Sequence, residues 1–396
     1  MQAIKDIFRI GKGPSSSHTI APKRAVELFI KYNGPCKHYD VELYGSLALT
    51  GKGHKTDEII KEVLGDKVEV HFIYDLDKET RNIMIIKGYD DEDREMVWRV
   101  ESLGGGAIKV DGIDIGDEKE IYPLDHFSDI KAYLCDEGID ILSYILRYEP
   151  DIIDHLMSCI DVMCASVTRG LSKEGLLNKR LNVYRSAHYL KKEGDMKGDI
   201  DLKRLAYAYA ASEENADGGT VCTAPTLGSC GVVASFVYSS LYDEGYTKKE
   251  VAEALAVGGL FADVIKKNAS ISGATGGCQA EIGTACALAA SAIAYLAHED
   301  IEIIEYAAEV GIEHHLGLTC DPVFGYVIIP CIERNAVAIL RAYDAVKLAT
   351  NISKYHNHSV SFDMVVNSMN YTGKKISPEL RETGLGGLAL EFKEED

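Results

Sequence analysis

The chain has 396 residues, 46% of them hydrophobic, ten cysteines and a formal net charge of −20. That length and composition predict one large or two medium domains around a real core. No apolar run reaches the roughly 18 to 20 residues that span a bilayer, the opening "MQAIKDIFRIGKGPSSSHT" lacks a secretory apolar stretch, and the absence of a basic stripe argues against a nucleic-acid partner.

Taken in order, residues 1 to about 20 read as an arm carrying "GPSSSHT". A helix is predicted from about Pro22 to Tyr32, a strand in "CKHYDVELYGSLALTG" and a helix in "HKTDEIIKEVLG". Strands follow in "KVEVHFIYD", "RNIMIIKGYD" and "EMVWRVESLGGGAIKVDGI", the last with a tight turn at Gly104–Gly106. This mixture gives a small N-terminal α+β domain, drawn at residues 1–128. From Asp129 apolar residues recur at helical spacing, near 151–168, 201–213, 230–243, 248–267, 279–297, 301–315, 331–350 and 359–371. Residues 129–396 are therefore expected to form a larger, predominantly helical domain, with a charged, exposed segment around 170–200. The fold class is α+β.

A cytoplasmic chain of this kind uses its cysteines as small buried hydrophobes, ligands or nucleophiles rather than as a disulfide framework. Three stand apart. Cys278 closes "SGATGGC", Cys320 lies in "HHLGLTCDPVFG", and Cys331 follows Pro330 at the head of a helical segment. Each sits at an element end beside Gly or Pro, where backbone and ligand can approach closely and helix-start amides favour a thiolate. Three such thiolates can meet at one point, as an iron–sulfur site needs. The spacing alone does not decide between that and three buried thiols near chain reversals. Cys159, Cys164 and Cys286 read as core, Cys36 and Cys135 carry no motif, and Cys222 and Cys230 flank the "TAPTLGS" turn.

With these stretches in view, the chain resembles the iron–sulfur-dependent L-serine dehydratases (L-serine ammonia-lyases) over nearly its whole length. The likeness rests on "GPSSSHT" with "PKRA", "LYGSLALTGKGHKTD", "LGGGAI", "EENADGGTVCTAPT", "NASISGATGGCQAEIG", "HHLGLTCDPV", "PCIERNA" and "ETGLGGLAL". They occur in the family's order, a β-type domain before an α-type domain. The resemblance implies a 4Fe-4S cluster held by Cys278, Cys320 and Cys331 with the fourth iron position open. It also implies deamination of L-serine to pyruvate and ammonia. The chain departs from the family pattern at Thr275, where an acidic residue is common, at "LGSCG" after "TAPT", and near "HFIYDLDKETRN", where a His-Pro-Asn motif is usual. These departures keep two alternatives: another β-substituted amino acid such as L-cysteine, or a cluster-bearing sensor without catalysis.

The reaction would remove an α-proton and a β-hydroxyl, and a Lewis-acidic metal with an open position helps hydroxide leave. Ser15, Ser16, Ser17 and Thr19 offer hydroxyls and amides shortly before a helix as a carboxylate cradle, although helix capping by Ser and Thr explains them too. Thr223, Thr226, Asn268, Ser270 and Ser272 join them as substrate-binding candidates, against a plain reading as turn chemistry. His18, ranked first, and His54 are the candidate bases, because imidazole titrates near neutrality. Glu213, Glu214 and Asn215 are candidates for the substrate ammonium, and Glu281 and Asp321 for partners beside the cysteines. A small-molecule amino acid is the expected partner, with no nucleic acid and no membrane, and a homodimer is the base-rate expectation.

Overall fold

The computed structural model describes residues 1–74, 82–116 and 119–393. The replacement of the His-Pro-Asn motif falls largely on residues 75–81, outside the described residues.

The arm contributes β1 (Ile10–Lys12) and leads into α1 (Ile20–Asn33). Then come β2 (His38–Leu43), α2 (Ser46–Leu49), α3 (Thr56–Leu64), β3 (Val68–Phe72), β4 (Ile83–Tyr89), β5 (Glu95–Gly104) and β6 (Ala107–Val110). The sheet runs β3-β2-β4-β5-β6. β2 and β3 are parallel, because α2 and α3 cross over between them, and the other pairings are antiparallel. Alternation along β2 buries Tyr39, Val41 and Leu43 while His38, Asp40 and Glu42 take the opposite face. The buried face packs with Phe29 of α1 and Ile60 of α3, and Phe29 meets Trp98 edge-on at 5.3 Å between ring centroids.

The remaining helices are α4 (Phe127–Glu137), α5 (Ile141–Tyr148), α6 (Ile152–Leu171), α7 (Ala187–Lys197), α8 (Ile200–Ala216), α9 (Cys230–Tyr242) and α10 (Lys248–Asn268). They continue with the short α11 (Gly273–Gly276), α12 (Thr284–Leu296), α13 (Ile301–Glu313), α14 (Cys331–Ile352), α15 (Phe362–Lys375) and the short α16 (Leu388–Glu391). α12 is Ala-rich and buried along nearly its whole length, as a helix without a polar face must be. Gly258 and Gly311 let α10 and α13 press against it: a Cβ on Gly258 would lie 2.5 Å from Leu288 O, and one on Gly311 3.1 Å from the Ala287 backbone. The segment around 170–200 holds a two-stranded hairpin (Leu176–Asn178 with Val183–Tyr184) and the largely exposed α7.

The arm crosses to the helical part. β1 pairs antiparallel with residues Thr220–Cys222, setting Ile10 opposite Cys222. Asn215 Nδ2 donates to Pro14 O at 2.7 Å. A Cβ on Gly13 would lie 2.0 Å from Asn215 O, so only glycine fits there. Ser15–Thr19 are thereby held at the seam between sheet and helices.

Candidate functional site

Three chain reversals place the three singled-out cysteines around one small buried cavity, lined also by Ser15, His54, Glu281 and Glu382. Cys278 precedes a π-helical turn, Gln279–Gly283, which feeds α12; such turns often occur at functional positions. Cys320 sits in extended backbone, its N donating to Leu380 O at 2.8 Å and its O accepting from Glu382 N at 2.7 Å. Cys331 opens α14 behind Pro330.

Burial pushes the Cys278 thiol up to about 11, against the guanidinium of Arg334. Burial raises Cys320 and Cys331 well above the usual thiol range, with further contributions from Glu281 on Cys320 and from Cys278 on both. Arg334 is positioned by donating to Thr319 O at 2.6 Å and lies 3.4 Å from Asp321, which in turn accepts from Leu388 N at 2.7 Å. Asp321 thus anchors the C-terminal segment over the site. Glu281 is half-buried, its Oε1 accepting from the Thr226 hydroxyl at 2.7 Å. Gly273 leaves it room: a Cβ there would lie 2.7 Å from Glu281 Oε2 and 3.3 Å from Cys320 Sγ.

Three sulfurs brought together around one cavity, beside the buried Glu382 and the half-buried Glu281, form a donor set that a cationic iron centre satisfies. It replaces the thiol protons and supplies positive charge. Sulfur donors select soft metal groups over hard cations, and three rather than four leave one coordination position free. The residues fit the cluster that the resemblance implies.

The arm faces this group. Ser17 Oγ lies 2.8 Å and Ser15 Oγ 3.3 Å from His18 Nδ1. His18 Nε2 lies 3.0 Å from Ser46 O and 2.9 Å from Thr50 Oγ1. A carbonyl can only accept, so His18 carries its proton on Nε2 and accepts on Nδ1 from the nearer serine hydroxyl, that of Ser17. Thr50 donates its hydroxyl to Ser46 O at 2.9 Å and therefore accepts from His54 Nδ1 at 3.2 Å. His54 Nε2 is left as a bare lone pair, buried and without a partner. Burial holds both rings neutral, His18 down to about 4 despite its bond to Ser46 O, and His54 well below its ordinary value with His18 adding to the effect.

The other sequence candidates divide. Ser16 is buried in the arm, where its O accepts from Ala21 N. The Thr19 hydroxyl bonds Lys12 O and Ser15 O and shapes the arm. Thr223 ties the arm down, accepting from Arg9 N at 2.7 Å and donating to Ile7 O at 2.6 Å. Asn268 donates to Asp125 O and Val264 O at the end of α10, where it does not line the cavity. Ser270 Oγ accepts from Ser272 N. Ser272 lines an adjoining cavity of about 490 Å³ between the sheet and the C-terminal segment, with Ser46, Thr275 and Arg381. Glu213 and Glu214 are engaged elsewhere: Glu213 caps Ser186 N at 2.6 Å, and Glu214 pairs with Arg169 at 2.9 Å and with Lys173. Sequence reasoning missed Glu382, which lies far from the cysteines along the chain inside "ETGLGGLAL". Ser46 and Thr50 were also missed, although they stand in the same quoted stretch as His54, "LYGSLALTGKGHKTD".

A family model described as the serine dehydratase alpha chain matches residues 58–389, and one described as the serine dehydratase beta chain matches residues 3–71. The chain is 36% identical over 454 aligned residues to an L-serine dehydratase of Streptomyces coelicolor, with 99% of each chain covered. It is 34% identical to L-serine dehydratase 2 of Escherichia coli over 455 residues, again with 99% of each covered. An L-serine dehydratase of Helicobacter pylori is 34% identical over 454 residues, with 99% of each covered.

Proposed function

This chain belongs to the serine dehydratase family, with alpha- and beta-chain regions in one polypeptide, and from that premise we propose that it deaminates L-serine to pyruvate and ammonia at a 4Fe-4S site on Cys278, Cys320 and Cys331. It is an enzyme of the carbon–nitrogen lyase class, like its named relatives. The observation that carries the reading is one buried cavity lined by all three cysteines together with Ser15 and His54. When bound, the cluster supplies a Lewis-acidic iron for the departing β-hydroxyl.

The chain's own residues do the rest. The hydroxyl of Ser15, which lines the cavity and keeps a proton to give while Ser17 donates to His18, receives the substrate carboxylate close to the start of α1. His54 Nε2, unprotonated and free of protein partners, takes the α-proton. Thr50 orients that ring through Nδ1. His18, with both nitrogens engaged, positions the serine hydroxyls on one side and the Thr50 relay on the other. Closure of the cavity by the Cys320–Glu382 segment excludes water from the reacting carbon.

The test is anaerobic reconstitution with iron and sulfide, metal quantitation, and a pyruvate assay on L-serine beside a sulfide assay on L-cysteine, all on one preparation. Pyruvate from serine and about four irons per chain are expected. Sulfide release from cysteine with no pyruvate from serine would reject the serine assignment, and a stable cluster with no turnover on either would make the chain a sensor.

A further inference from the structure

Glu382 combines two unfavourable features. It is a non-glycine residue at φ = +59°, a conformation that destabilises L-residues and persists where the surroundings enforce it. It is also only 5% exposed, and its Oε2 has no hydrogen-bond partner. The surroundings do enforce the backbone: its N donates to Cys320 O at 2.7 Å, and its O accepts from the Ser46 hydroxyl at 2.6 Å. Those two bonds hold the carboxyl at the cavity wall with Ser15, His54 and the three cysteines. Its other oxygen, Oε1, lies 3.9 Å from His18 Nδ1, beyond hydrogen-bond reach.

The α-carbon of an amino acid carries four substituents, and the wall of the cavity offers partners for them. The carboxylate goes to Ser15 of the arm, the α-hydrogen to His54 Nε2, and the β-hydroxyl to the cysteine side. The ammonium is one bond from the same carbon, so its acceptor must stand beside both the serine cradle and the base. Glu382 meets that condition: one ligand atom each from His18, His54 and Glu382 lie within 4.8 Å of one another. Glu281, the other carboxylate in the cavity wall, already accepts from Thr226. Glu213 and Glu214 have partners elsewhere. An arriving cation also supplies opposite charge to the buried Glu382 carboxyl.

We infer that Glu382 receives the substrate's α-ammonium group and so selects amino acids over hydroxy acids, a role that rests on the proposed reaction at this site. The test uses the reconstituted full chain and Glu382→Gln, which keeps shape and removes charge. Iron content, visible absorbance and equilibrium binding are measured with two probes, L-alanine, which carries the amine, and 3-hydroxypropanoate, which lacks it. In the variant, L-alanine binding and the KM for L-serine should weaken about 10- to 100-fold, the scale of a charge-assisted hydrogen bond. Iron content and 3-hydroxypropanoate binding should stay within about twofold of the parent, which also shows that the variant is folded. Equal weakening of both probes, unchanged L-alanine binding, or loss of iron would overturn the assignment. A parent chain that makes no pyruvate from L-serine but still distinguishes the probes through Glu382 would fail the proposed reaction and leave this inference standing.

Discussion

At the scale of the residue, the site separates two histidines that the sequence could not. Ranking His18 ahead of His54 followed from the crowd of hydroxyls around it, and those same hydroxyls saturate it. His18 has partners on both nitrogens, whereas His54 has one on Nδ1 and none on Nε2. His54→Ala should therefore lower kcat on L-serine by about 10²- to 10⁴-fold, the range of a lost general base. Iron content and L-alanine binding should hold, and α-proton exchange from L-alanine should stop. His18→Ala should cost less in kcat and more in KM. Equal effects from both variants would remove His54 from the role. For the cysteines, Cys320→Ala should abolish both the cluster absorbance and turnover, while Cys159→Ala should keep the absorbance. Cys159 lies in the helical core, with His155 Nε2 at 3.5 Å from its sulfur. The three site cysteines were legible because each lies within two residues of a glycine or proline at an element end. Glu382 was not, because only the pairing of Cys320 with the 380–382 backbone brings it to them.

At the scale of the element, the arm is the part whose role changes most between sequence and structure. Its serines reach the site because β1 is zipped to Thr220–Cys222 and Thr223 extends the zipper by one residue, its N donating to Arg9 O at 2.8 Å. Thr223→Val keeps the shape and removes a hydroxyl that makes two bonds. It leaves Arg9 N and Ile7 O unpaired, each at about 1–3 kcal/mol where water cannot reach. Hydrogen exchange across residues 9–19 should speed up, and the KM for L-serine should rise with little change in iron content. A variant whose arm stays protected would return Thr223 to a direct substrate role. The long helices were readable because apolar residues recur along their whole length, as one stripe in α6 and on every face in α12. Shorter α4 and α5 went unassigned although their signals are present: Asp140 caps Ser143 N at 2.6 Å, and Gly138 takes the left-handed position that ends α4. The π-helical turn after Cys278 has no such signal, because small residues suit either helical period.

At the scale of the whole molecule, stability should depend on pH through a group remote from the site. Asp263 of α10 is 1% exposed, and its Oδ2 has no partner. Burial pushes its carboxyl up to about 7; Lys266 and the Met1 amine oppose the rise, and Glu149 and Asp6 add to it. An unfolded aspartate ionises near 3.9, so between that value and about 7 the folded chain holds a proton that the unfolded chain has released. Stability from this group is thus fully present below about pH 4, falls as pH rises through 7, and is flat above. His18 and His54 shift in the opposite sense, their folded values being depressed, and they weaken the fold as pH falls below their ordinary range. Comparing Asp263→Asn with the parent cancels the histidines, because both chains keep them. The asparagine variant should gain on the parent steadily from pH 5 to pH 7, by about 2–3 kcal/mol at 1.36 kcal/mol per pH unit, and no further from pH 7 to pH 8. Urea midpoints of the cluster-free chains at these pH values give the difference directly. Parallel curves across that range would mean that Asp263 ionises as an ordinary surface carboxylate.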